Sequence, residues 1–198
     1  MVVTTVIPTL GRPTLWTRAV PSVMAQQDWR CIIVGDGVTI PPFDDERISV
    51  YRIPRPRYPA DPLARWRVGG VRAFAYGLER VESEWFSYLA DDDYYTGAHH
   101  AVLRRASAGA DVVYGQARRP GATALYGEQW PPRWDDLPQG AYIMRTDTGM
   151  RPTETPGDMA WDRAWWDEAQ RRGLRFARAN GIVMMYCPAP ESVGLHLG

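Results

Sequence analysis

The chain alternates short, continuously apolar runs with stretches whose apolar positions recur at helical spacing. Val2–Ile7 ("VVTTVI") is a β-branched run closed by Pro8, which predicts a first strand. Thr14–Gln26 places Leu15, Ala19, Val23 and Met24 on one face and predicts a helix. Cys31–Val34 ("CIIV") reads as a second buried strand, ended by Gly35-Asp36-Gly37, and Arg47–Ile53 as a third. Residues 54–66 hold four prolines and several arginines and are expected to form a loop. Gly69–Val81 predicts a helix with Val71, Phe74, Leu78 and Val81 on one side. Trp85–Ala90 ("WFSYLA") predicts a fourth strand, and His99–Ser107 a short helix.

The second half is more mixed. "ADVVYGQARR" and "AYIMR" suggest strands, and residues 158–172 suggest a helix after Thr155-Pro156-Gly157. "LRFARANGIVMMYC" suggests two closing strands joined around Asn180-Gly181, a pair that favours tight hairpin turns. The first half thus runs β-α-β-β-α-β-α with unbroken apolar strands. That pattern predicts a mostly parallel sheet covered by helices, an α/β fold.

Composition narrows the function classes. A chain of 198 residues fits one domain, and 45% hydrophobic content fits a globular protein. The formal net charge of zero argues against a generally basic nucleic-acid binder. No apolar run reaches the length of a membrane span, and no charged leader precedes "VVTTVIP", so a cytoplasmic setting is expected. All 23 basic residues are arginine, which excludes a catalytic lysine of the P-loop or Schiff-base kind. Cys31 and Cys187 lack partners at zinc-ligand spacing and are expected to be reduced core residues.

Ligands of open α/β sheets bind outside the carboxyl ends of the strands. There the first strand delivers Pro8 and Thr9, the second Asp36, and the fourth Asp91, Asp92 and Asp93. Three adjacent carboxylates raise one another's cost of ionisation and ask for a cation. Mg²⁺ or Mn²⁺ fits, because both take hard oxygen ligands together with substrate phosphates. A calcium loop starting at Asp91 does not fit, since Tyr95, Thr96 and Val102 stand where its ligands and glycine belong. A solvated turn capping the next helix is the alternative without chemistry.

Four stretches, in order over about residues 2–97, together resemble the GT-A glycosyltransferases, family 2 in particular: "VIPTLGRP" (Val6–Pro13), "SVMAQ" (Ser22–Gln26), "VGDGV" (Val34–Val38) and "GGVRAFAYGLERVESEWFSYLADDD" (Gly69–Asp93). The resemblance implies a GT-A, Rossmann-like domain over residues 1–198. Residues 1–97 would bind the nucleotide sugar and residues 98–198, a short mixed part, the acceptor. Pro8, Thr9 and Arg12 would lie at the nucleotide, and Asp36 would accept a hydrogen bond from the base, which favours a UDP-sugar. Asp91 would lie near the ribose or the metal. Asp93, with Asp91 or Asp92, would hold Mn²⁺ or Mg²⁺ in the place of the family's D-x-D motif.

Two departures stand out. Gly35 replaces the first Asp of the family's usual pair, and Phe74 replaces an Arg that Arg72, two residues earlier, would substitute. In the second half Asp158 falls where the family places a base for the acceptor hydroxyl, with Asp162 a second candidate and helix capping the plain alternative. His196 matches a late metal ligand of some relatives, while His99 and His100 are expected at the surface or behind the site.

Nine tryptophans, among them Trp130, Trp134, Trp161, Trp165 and Trp166, offer an acceptor platform or core packing. The loop arginines, Arg52, Arg55, Arg57, Arg65 and Arg67, offer phosphate contacts. The expected function is a metal-dependent, inverting sugar transfer to a hydroxyl of a glycan, a small molecule or a modified base in phage DNA. The alternatives are a catalytically silent nucleotide-sugar or glycan-binding module, and a sugar-phosphate nucleotidyltransferase. The latter lacks its Gly-rich loop and lysine here.

Overall fold

The computed structural model describes residues 1–130, 132, 136–154 and 160–187. Its strands are β1 (Val3–Thr9), β2 (Trp29–Asp36), β3 (Ile48–Ile53), β4 (Trp85–Tyr88), β5 (Tyr94–Tyr95), β6 (Val112–Arg118), β7 (Leu125–Tyr126), β8 (Tyr142–Arg145) and β9 (Phe176–Met185). The α-helices are α1 (Val20–Met24), α2 (Pro62–Val68), α3 (Val71–Leu78), α4 (His99–Arg105) and α5 (Trp161–Arg171). Among the described residues the sheet order is β3-β2-β1-β4-β8-β6-β9-β5, with β7 pairing β6. The pairs β3–β2, β2–β1, β1–β4 and β6–β9 are parallel, while β8 runs antiparallel between β4 and β6. The parallel half is the one whose apolar strands predicted it. β1 and β2 are buried almost throughout because helices cover both of their faces.

Two packed clusters result. Ile7, Cys31 and Ile33 pack with Leu15, Ala19, Val20 and Val23 on one side of the sheet. Val6, Ile32 and Val34 pack against α3 on the other. Gly77 permits that second contact: a Cβ there would stand 2.5 Å from Val6 Cγ1 and 3.1 Å from Val34 Cγ2. Phe74 is fully buried, with its ring 5.0 Å from Tyr88 and 5.7 Å from Trp161 between centroids. The residue that replaces the family's Arg is therefore a core residue that ties α3 to α5.

Several expectations are corrected. The predicted first helix opens as a π-helical turn, Leu15–Ala19, in which the Val20 N–H reaches the Leu15 carbonyl. Pro21, which has no N–H to give, follows directly. The expected loop 54–66 contains most of α2. Asp61 caps that helix, accepting from Ala64 N at 2.7 Å, and Pro62 stands at its first position. Asn180-Gly181 is not a hairpin turn. β9 runs through it as one strand, and the register against β6 shifts between Tyr114 and Ala117, so the extra residues are absorbed as a bulge.

His99 and His100 are fully buried rather than superficial. α4 packs on β9, where His99 Nδ1 lies 2.9 Å from the Val183 carbonyl and its ring stacks on Tyr95 at 3.6 Å. Burial holds both imidazoles below their ordinary pKa, His100 at about 4. Cys31 is a core residue as expected, but Cys187 is only partly buried and lies beside the carboxylate cluster. No helix among the described residues is long and apolar enough to cross a membrane.

Candidate functional site

The carboxyl ends of β1, β2 and β4 open on one cleft of about 1190 Å³. Pro8, Thr9, Arg12, Asp36, Asp91, Asp92 and Asp93 all line it. Parallel pairing brings residues from three of the four stretches to one edge: Thr9 stands beside Gly35, and Tyr88 beside Val6. The turn after β4 then carries the three carboxylates back across the end of β1.

The three carboxylates face different partners. Asp91 is buried and accepts from the Thr9 hydroxyl at 2.6 Å, from Leu10 N at 3.3 Å and from Arg12 Nη1 at 2.9 Å. Both of its oxygens are thus used to hold the "PTLGR" turn in shape. Arg12 Nη1 also reaches Asp92 Oδ2 at 2.9 Å, bridging the two carboxylates. Asp93 is buried on the β9 side, where Oδ1 accepts from Cys187 N at 2.6 Å. Burial, then the charges of Asp92 and Asp91, push the Asp93 carboxyl well above the usual carboxylate range, only partly offset by the Cys187 N–H and Arg12.

At the end of β2, the Asp36 carboxylate is 1% exposed and accepts from the Tyr58 hydroxyl through Oδ2. Burial raises its pKa, opposed by that hydrogen bond and by Arg55 and Arg72. The turn that presents it explains the departure at residue 35. A Cβ on Gly35 would lie 2.2 Å from the Val38 carbonyl oxygen, so an Asp has no room there.

Arg72 does not line the cleft. Its guanidinium pairs with Glu154, both partly exposed. Of the proline-rich segment, Arg55, Arg65 and Arg67 line the cleft, whereas Arg52 bonds Thr39 at 3.3 Å. Asp158, His196 and Trp134 lie outside the described residues. Asp162, in the first turn of α5, lines the cleft and accepts from Arg163 N, a first-turn amide, at 2.8 Å. Trp161 closes that wall, its Nε1 donating to the Gly69 carbonyl at 3.1 Å, while Trp165 and Trp166 are core.

Sequence reasoning did not find Tyr58, Arg119, Tyr126, Gln139, Arg163 or Tyr186, which complete the lining. Most lie in loops or at strand ends with no periodic signal. For Tyr58 a signal existed in the Asp61-Pro62 cap, which fixes the end of the segment that carries it.

The mostly parallel sheet flanked by helices is GT-A-like. Solved structures agree over nearly the whole chain. Staphylococcus aureus TarS residues 1–349 in complex with UDP aligns over 98% of this chain and 62% of its own, with a TM-score of 0.68 at 15% identity. The same TarS segment with UDP-GlcNAc aligns over 96% and 59%, with a TM-score of 0.66 at 13% identity. The mannosyltransferase PcManGT from Pyrobaculum calidifontis, in complex with GDP-Man and Mn²⁺, aligns over 95% and 57%, with a TM-score of 0.65 at 11% identity. The chain thus spans about three fifths of the length of these structures. No protein-family model and no curated protein sequence matches it.

Proposed function

We propose that the chain is a metal-dependent glycosyltransferase that moves a sugar from a nucleotide-sugar donor, a UDP-sugar by preference, to a hydroxyl acceptor. The observation that carries this reading is the convergence of Thr9, Asp36 and Asp91–Asp93 in one cleft at the strand ends of a GT-A fold. The base would sit at Asp36, the diphosphate near the carboxylates, and the acceptor against Trp161 and the start of α5.

The residues present fit a hard divalent cation. Asp93 is a buried carboxylate made costly to ionise by its neighbours, and a cation there would relieve that repulsion. Among the described residues no three His, Cys, Asp or Glu side chains gather as a full ligand set. Mg²⁺ and Mn²⁺ commonly take one or two carboxylates and complete their shells with phosphate oxygens and water. Asp93 is the first ligand proposed. Asp91 or Asp92 would be the second; Arg12 holds both. His196 is the late-segment candidate. When bound, the metal would supply Lewis-acid neutralisation of charge on the leaving diphosphate.

The chain's own groups would do the rest. Arg12, bridging Asp91 and Asp92, keeps the carboxylates in register and places positive charge at the cleft wall. Asp158 would take the proton of the acceptor hydroxyl as that oxygen attacks the anomeric carbon in line, which inverts the anomeric configuration. The acceptor proposed is a glycan or small molecule. A modified DNA base would use Arg55, Arg65 and Arg67 as phosphate contacts.

A transfer and hydrolysis assay with a panel of nucleotide sugars, with and without Mn²⁺, tests the proposal. Metal-dependent turnover that falls with Asp158→Asn supports it, and the anomeric proton of fresh product, read by NMR, reports inversion. Donor binding without turnover, unchanged by Asp158→Asn, marks a binding module instead.

A further inference from the structure

We infer that Tyr58 sets the nucleobase preference of the cleft, by leaving Asp36 a single unpartnered acceptor oxygen that suits a uracil edge and disfavours a guanine edge. The inference rests on the placement of the base at Asp36 proposed above and concerns the residue beside it.

The two oxygens of Asp36 are not equivalent. Oδ2 accepts from the Tyr58 hydroxyl, while Oδ1 is buried and has no hydrogen-bond partner among the described residues. A buried carboxylate oxygen without a donor is unfavourable, so a ligand N–H directed at Oδ1 gains more than it would at a solvated group. Asp36 and Tyr58 both line the cleft, so the hydrogen-bonded pair forms part of its wall, with Oδ1 just behind the surface.

Tyr58 is held in place from both sides. Gly37 N donates to the Ile53 carbonyl at 3.1 Å, and a Cβ on Gly37 would meet Arg55 Cβ at 2.3 Å. The chain leaving β3 is therefore folded directly over the turn that carries Asp36. On the far side, Arg65 donates to the Pro59 and Ala60 carbonyls and Asp61 caps α2. The hydroxyl is thus positioned before any ligand arrives.

The base edges differ in their donors. Uracil presents one ring N–H between two carbonyl oxygens and needs one acceptor. Guanine presents a ring N–H beside an exocyclic amino group, a pair that matches both oxygens of a free carboxylate. With Oδ2 already engaged by the Tyr58 hydroxyl, the second guanine donor loses its solvent partner and meets only an oxygen it must share with Tyr58. Such a poorly paired group weakens binding by about tenfold or more. The solved structures similar to this chain include one holding UDP and one holding GDP-Man, so the fold itself leaves both bases open.

Isothermal titration of UDP and of GDP, each with Mn²⁺, into the wild-type chain, Tyr58→Phe and Asp36→Asn tests the inference, with thermal melts to check folding. The expected result is UDP binding about tenfold or more tighter than GDP in the wild type. Tyr58→Phe should narrow that ratio to within about threefold, chiefly through a gain for GDP. Equal affinities or a GDP preference in the wild type overturn the inference without any variant, even where Tyr58→Phe does not fold. A folded Tyr58→Phe with an unchanged ratio overturns it too. If neither nucleotide binds the wild type, or Asp36→Asn leaves both affinities unchanged, the placement of the base fails, and the inference with it.

Discussion

Gly35→Ala is the sharpest perturbation of the turn that presents Asp36. The added Cβ would stand 2.2 Å from the Val38 carbonyl oxygen and 3.2 Å from Ile40 Cγ1, and the first contact is more than 1 Å inside ordinary van der Waals distance. The obstructing atom is backbone, so no rotamer change removes the clash, and the turn must open. Overpacking of this kind costs about 1–3 kcal/mol, and an immovable neighbour puts the expectation near 3 kcal/mol. For a domain of this size that lowers the melting temperature by about 6–12 °C. Gly97→Ala is the control, because its Cβ meets nothing within 4 Å and its backbone is not left-handed. It should stay within about 0.5 kcal/mol of wild type. Parallel urea denaturation of the two variants reads the difference. Gly35→Asp, which adds the carboxylate common at this place in the family the sequence resembles, should be at least as destabilised as Gly35→Ala. If Gly35→Ala is as stable as Gly97→Ala, the steric account of the missing Asp is wrong.

Other consequences follow from the same structure. Asp93→Asn should lower metal-dependent turnover by on the order of 100-fold, while the metal-free protein melts at the same temperature or higher, since a buried, mutually repelled carboxylate is removed. A lower metal-free melting temperature would contradict that reading of Asp93. Between Asp158→Asn and Asp162→Ala, the first should abolish transfer with donor affinity kept, and the second should cost stability through the lost hydrogen bond in the first turn of α5; kcat and melting curves of each decide. The buried imidazoles set an acid limit. His100 titrates near 4 when folded and near 6.5 when unfolded, so the unfolded chain binds more protons between those values. Stability should be complete above about pH 6.5 and fall as pH drops toward 4, by about 3 kcal/mol for His100 alone. Urea midpoints that do not change between pH 7 and pH 5 would show that the pair is not buried neutral.

The parallel half of the sheet was legible because its strands are continuous apolar runs separated by helical periodicity, and the same runs placed Thr9, Asp36 and Asp91–Asp93 at one edge. What was hidden depended on long-range geometry. Asn180-Gly181 carries a hairpin signal, yet β9 is fixed by its pairing with β6, and the tertiary pairing outweighs the local preference. His99 and His100 look polar in sequence and become buried only because α4 lies against β9 and Tyr95. α2 was masked by its prolines, although Asp61-Pro62 is a helix start. The contact of Tyr58 with Asp36 required knowing that the chain after β3 folds over the end of β2. Gly35 and Phe74 read as losses of functional residues, and the structure gives each a packing reason.

The central claim is a metal-dependent nucleotide-sugar site at the ends of β1, β2 and β4. The measurement that reaches it most directly is a thermal-shift titration of the wild-type chain with UDP and a panel of UDP-sugars, each with and without Mn²⁺. A ligand at a hundred times its Kd should add about 2.7 kcal/mol, a rise of about 5–10 °C, and the rise should depend on Mn²⁺. No shift with any nucleotide sugar in the presence of Mn²⁺ would contradict the account.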